Sequence, residues 1–131
     1  FLEAGSGGLA ACRMQAADGA SGVCGASLSA PDLGGLAPLL GIPHLLPENP
    51  ADACAFLSRE SGRQLDVPVR AVIWQNGTQY ACAVTVEGET RQYVQSMPSR
   101  GLDYYRTAAV QACFDMMRLM LLDRLDAKKQ K

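Results

Sequence analysis

The chain has 131 residues, 48% of them hydrophobic and 19% charged, with a formal net charge of −1. That length supports one domain with a real core, and the charge balance excludes a basic field for holding nucleic-acid phosphates. No uninterrupted apolar run approaches the ~20 residues that a bilayer-spanning helix needs; Met116 to Leu122 is short and broken by Arg118.

Phe1 to Ala4 reads as a short strand that breaks into the turn Gly5-Ser6-Gly7-Gly8, and Leu9 to Met14 is a run of helix formers. A strand, glycine turn and helix in that order can aim backbone N–H groups at an anion, although glycine turns also serve tight packing alone. Ala17 to Gly22 is a loop, and Val23 to Ser29 reads as a strand of small residues. Pro31 and Asp32 open a short helix that runs to Leu39-Leu40 and is stopped by Gly41-Ile42-Pro43. His44, flanked by Pro43 and Leu45-Leu46, reads as a loop histidine rather than a base. After the break at Pro47 to Pro50, with Asn49-Pro50 as an N-cap and first helical residue, Ala51 to Ser61 reads as a helix.

From Val67 the pattern changes to strands. Val69 to Trp74 and Gln79 to Val86 flank Asn76-Gly77, a pair that favours a tight hairpin turn. Glu87-Gly88 begins a second turn, and Thr90 to Gln95 forms a third strand. Met97 to Gly101 then leads into a run from Leu102 to Leu125 with no internal Gly or Pro, which predicts a long helix.

At helical spacing, Leu102, Tyr105, Ala109, Ala112, Met116 and Met120 form one apolar row. Val110, Phe114, Met117, Leu121 and Leu125 form a second row round the helix, with Arg106 between the two. One row is satisfied by the chain's own sheet. The second predicts either burial within the domain or a contact surface for another protein.

Cys12, Cys24, Cys54, Cys82 and Cys113 are scattered without metal-ligand spacing, and His44 is the only histidine. No metal and no cofactor are expected. Unpaired cysteines in apolar surroundings suit buried reduced thiols and an intracellular, reducing compartment. The first residue is Phe1 rather than Met, so a removed leader, including a mitochondrial address, is a further reading. The pattern as a whole predicts a three-layer α/β/α domain over residues 1–127. Its mixed sheet includes an antiparallel meander followed by the long C-terminal helix, and residues 128–131 form a basic tail.

These segments, in this order, resemble the C-terminal domain of the CinA family, the nicotinamide mononucleotide deamidases. Glu3-Ala4-Gly5-Ser6-Gly7-Gly8-Leu9-Ala10-Ala11 stands where that family has E-S-C-T-G-G and the start of a helix. Asp18-Gly19-Ala20-Ser21 is similar to its P-G-A-S turn, and Leu39-Leu40-Gly41-Ile42-Pro43 to its L-L-G-V-P segment. Ser61 through Asp66 resembles the G-A-D helix end, and Met97-Pro98-Ser99-Arg100 the F-P-G-D-R turn before the last helix.

The resemblance also marks what is missing. The family's nucleophilic serine falls on Ala4, its tyrosine and lysine at about Pro31 and Leu36, and its T-G-I-A-G-P loop has no counterpart before Asn76-Gly77. Without an oxygen at position 4 no acyl-enzyme of the usual kind can form. The resemblance therefore implies a vestigial pocket at Glu3, Ala4, Ser6, Gly7, Gly8 and Arg100. The expected function is that of a non-catalytic accessory or structural subunit working through protein contacts, as a homo-oligomer or within a larger assembly, with no nucleic acid and no membrane span. The second row, Val110, Phe114, Met117, Leu121 and Leu125, is the expected interface. The alternatives are an amidohydrolase on nicotinamide mononucleotide, with Ser6 displaced into the nucleophile's role and Arg100 on phosphate, and a nucleotide-binding module that keeps the Gly5–Gly8 turn as an anion cradle.

Overall fold

The hairpin at Asn76-Gly77 sets the frame of the molecule. In the computed structural model, which describes residues 1–17, 19, 23–42, 45–96 and 101–131, β3 (Val69–Gln75) and β4 (Gln79–Val86) pair antiparallel from Val69 opposite Val86 to Gln75 opposite Tyr80. The Asn76 side-chain oxygen accepts from the Thr78 and Gln79 amides at 3.0 and 2.9 Å, and Gly77 supplies the positive φ that the turn requires. β5 (Glu89–Ser96) continues the meander on β4.

On the other side, β1 (Leu2–Ala4) lies parallel to both β3 and β2 (Leu28–Ala30), which gives the sheet order β2-β1-β3-β4-β5. The predicted strand at Val23 to Ser29 is thus confined to its last residues and one beyond. β1 offers only Leu2, Glu3 and Ala4 as partners, so the ladder can be no longer.

Helices cover both faces. α1 (Leu9–Ala16) and α4 (Leu102–Lys129) lie on one; α2 (Leu33–Leu39) and α3 (Pro50–Glu60) lie on the other. Asp32 caps α2 through the Gly35 amide at 2.8 Å, and Asn49 caps α3 through Ala51 and Asp52, with Pro50 at the first helical position. A single helical turn (Ser61–Arg63) extends α3. One core holds Leu36, Leu57, Val72 and Ala83 beneath α2 and α3; the other holds Ile73, Cys82, Val84, Tyr105 and Cys113 beneath α4. This is the expected three-layer α/β/α arrangement. α4 runs past Leu125 into the basic tail, because Asp126 to Lys129 contain no helix breaker.

The two apolar rows of α4 turn out to flank one seam. The sheet sits beneath the arc between them, where Cys113 is fully buried and Arg106 and Arg124 are half-buried. Tyr105, Ala109 and Met120 line this seam from the first row, while Leu102 is 48% exposed in the first turn. Val110, expected at an interface, is completely buried in the chain's own core and offers no surface. Phe114 and Met117 are half-buried, Phe114 stacking edge-on against Phe1 at 5.7 Å, whereas Leu121 and Leu125 are 40% and 53% exposed. The seam escaped the periodicity reading because its central residue is a small cysteine and its ends are arginines.

Candidate functional site

Alternation along β1 sends Leu2 and Ala4 into the core under α2 and α3, and sends Glu3 to the opposite face toward α1. Glu3 is fully buried, and a carboxylate buried there requires donors. One oxygen accepts from Ser6 Oγ at 2.7 Å and from the Ala10 amide at 2.8 Å; the other accepts from the Ala11 amide at 3.3 Å. Gly8, the residue at the helix N-cap, has no side chain to cap with, so Glu3 caps α1 from the neighbouring strand. Gly7 and Gly8 both adopt positive φ, which folds the chain back so that the amides reach the carboxylate.

Gly5 is held just as closely. Its N–H donates to the Ala30 carbonyl at 3.0 Å. Its own carbonyl accepts from the Gln75 side-chain amide at 2.5 Å and from Arg106 Nε at 3.4 Å. Gln75 Oε1 in turn accepts from the Gly77 amide at 2.8 Å, and Arg106 also lies 3.8 Å from Asp103. The turn after β1, the end of β3 and the first turns of α4 therefore meet at one carbonyl, at the C-terminal ends of the parallel strands. That is the edge where open α/β sheets place their ligands.

The positions singled out in the sequence separate into distinct fates. Glu3, Ser6, Gly7 and Gly8 do come together. Ala4 is next to them in sequence, but its methyl lies fully buried in the other core. Pro31 is exposed just past β2, and Leu36 is fully buried between α2 and the sheet, where a lysine's charge would be cut off from water. Arg100 and His44 lie outside the described residues, as do most of the Asp18–Ser21 turn and all of the Met97–Arg100 turn. Sequence reasoning missed Gln75 and Arg106. Their signals were the residue just before the Asn-Gly turn and the arginine set between the two apolar rows.

Chemically, the turn is closed on itself. Ser6 is only 3% exposed and directs its proton to Glu3. Burial pushes the Cys54 thiol far up, and a hydrogen bond with Cys82 together with burial raises that of Cys113, so neither of these two is a ready nucleophile. Among the described residues no group of three or more His, Cys, Asp or Glu side chains is placed to hold a metal ion. No helix among them is long and apolar enough to cross a membrane.

No family model matches the chain, and no curated protein matches its sequence. Solved structures do match it. A competence-damaged protein (CinA) superfamily protein from Escherichia coli superposes with a TM-score of 0.79 at 14% identity, over 91% of this chain and 77% of that one. The fold is that of the CinA superfamily. The competence/damage inducible protein CihA from Agrobacterium tumefaciens superposes at 0.77 with 13% identity, covering 90% of this chain and 81% of its own. A CinA superfamily protein from Enterobacter cloacae gives 0.77 at 12% identity, over 92% and 79%. At such identities the likeness is one of fold, and the CinA-like scaffold here carries its own side chains at the turn.

Proposed function

We propose that this CinA-like chain is a non-catalytic domain that acts as an accessory or structural subunit through protein contacts. The observation that carries the reading is the closed turn after β1. Ala4 contributes a buried methyl where the resemblance calls for a nucleophile, and the turn's own hydroxyl, Ser6, is locked on Glu3. Glu3 also takes the Ala10 and Ala11 amides, so the first donors of α1 are occupied from within and are not free for an anion. The contact surface is the exposed remainder of the second row. Met117 and Leu121 border an apolar cleft of about 320 Å³ together with Phe1, Met14 and Leu65, and Leu125 extends the row beyond it.

The alternative, an amidohydrolase or nucleotide binder with a displaced site, requires the Ser6–Glu3 pair to open. Two assays separate the readings. Incubation with nicotinamide mononucleotide at high protein concentration is expected to release no ammonia, and millimolar mononucleotide to leave the melting temperature unmoved. Turnover abolished by Ser6→Ala would overturn the non-catalytic reading. Size separation of the protein from its own source is expected to place it in an assembly that Leu121→Asp disrupts without unfolding the chain. A lone chain with no companion, indifferent to Leu121→Asp, would remove the contact reading.

A further inference from the structure

An edge strand presents a row of unpaired N–H and C=O groups, and natural proteins blunt such edges. β2 is blunted by its length of three residues; β5 is not. It runs for eight residues in one-to-one register with β4, without a bulge, and holds neither Pro nor Lys. Its two charges, Glu89 and Arg91, pair with each other at 3.1 Å, which leaves Gln92 to Ser96 uncharged. Which groups face outward follows from the turn. Glu87 and Gly88 both have positive φ, so Val86 and Glu89 close a two-residue hairpin as a hydrogen-bonded pair. Alternation then turns the backbone of Glu89, Arg91, Tyr93 and Gln95 toward β4, and that of Thr90, Gln92, Val94 and Ser96 outward. Among the described residues no strand pairs with that outer edge.

The two faces beside this edge differ in chemistry. Toward α4 lies an open groove of about 790 Å³, bordered by Tyr93, Ala112, Met116 and Leu119. Toward α3, the Gln92 side-chain amide donates to Asp52 at 2.7 Å. Asp52 is exposed, and among the described residues it forms no ion pair. We propose that β5 receives, as a sixth strand of the sheet, an extended segment of a partner protein in which apolar residues alternate with basic ones. Its apolar side chains seat in the groove, its basic ones emerge on the other face beside Asp52, and its backbone pairs with the outward residues of β5. This surface adds to the contact reading above and does not rest on it, because Leu121 lies on the opposite flank of α4, toward Phe1.

The test is titration of the purified protein with an end-capped peptide of alternating valine and lysine, as long as β5, with amide hydrogen exchange read residue by residue. Saturable binding is expected, with new protection at the Gln92 and Val94 amides and little change at Arg91 and Tyr93, which β4 already holds. Val94→Pro removes an N–H that β4 does not use, so it is expected to leave the far-ultraviolet spectrum unchanged and to weaken binding at least about tenfold. Leu119→Arg, at an exposed groove position, is expected to weaken it about tenfold, and Asp52→Asn about threefold. Leu121→Asp is expected to change nothing, which keeps this result separate from that of the native assembly. No binding, binding unmoved by Val94→Pro, or equal binding of a peptide with glutamate in place of lysine overturns the proposal. So does protection of the Gln92 and Val94 amides in the protein alone as its concentration rises, which would put a second copy on the edge.

Discussion

Removing Glu3 tests whether the turn after β1 is held by a cap or left open for chemistry. Glu3→Ala deletes a fully buried carboxylate and strands three donors, the Ser6 hydroxyl and the Ala10 and Ala11 amides. Hydrogen bonds to a charged acceptor contribute about 1.5–3 kcal/mol each, and breaking such a buried set costs about 3–5 kcal/mol once the site relaxes. For a chain of 131 residues, an unfolding entropy of about 2 cal/mol/K per residue makes each kcal/mol worth roughly 3–4 °C. Glu3→Ala is therefore expected to lower the melting temperature by roughly 10–18 °C. Glu3→Gln keeps the volume and one acceptor oxygen for Ser6 and Ala10, but turns an N–H₂ toward the Ala11 amide. Its expected loss is about 1–2 kcal/mol. Thermal and urea unfolding followed by circular dichroism measure both. A Glu3→Ala protein melting within about 3 °C of the parent, or a Gln variant as unstable as the Ala variant, would refute the capping account.

Three further outcomes follow from other parts of the structure. Gly5→Ala places a methyl 2.5 Å from the Gln75 carbonyl oxygen at a φ of +85°, so a destabilisation of about 2–4 kcal/mol is expected, read as a lower urea midpoint; an unchanged midpoint would mean that the turn does not pack as described. A thiol reagent is expected to label Cys12 and Cys24 in the native protein, and Cys54, Cys82 and Cys113 only after denaturation. Rapid native labelling of Cys113 would contradict the seam under α4. Burial, with neighbouring Tyr93, raises the Tyr80 phenol to about 12 from an ordinary value of 10.0. The folded state thus keeps this proton where the unfolded chain has lost it, so Tyr80's contribution is fully present below pH 10 and is lost as pH rises through about 12. Urea midpoints should fall between pH 10 and 12 and fall less in Tyr80→Phe; identical slopes would count against it.

Much of this molecule is legible without coordinates, because several signals are local. Asn76-Gly77 needs only its own backbone to form the hairpin turn, Asn49-Pro50 caps and starts α3 within one turn, and an unbroken run from Leu102 makes α4. The glycine turn and its helix were visible for the same reason. What the turn does was not. Whether Ser6 faces substrate or Glu3 depends on how β1 is flanked by β2 and β3, which sets the face on which Glu3 emerges and the helix end it meets. Gln75 and Arg106 converge on Gly5 from residues 70 and 101 positions away, a separation no local pattern encodes. The two rows of α4 likewise read as two surfaces until the sheet was seen beneath the arc between them, with Val110 buried and Leu119 and Leu121 left on opposite flanks. Local sequence determined which elements form and where they end, since caps, turns and periodicity act within a few residues. Tertiary packing alone decided which side chains are closed off and which remain exposed, because burial is a property of the layers that meet and not of the segment that enters them.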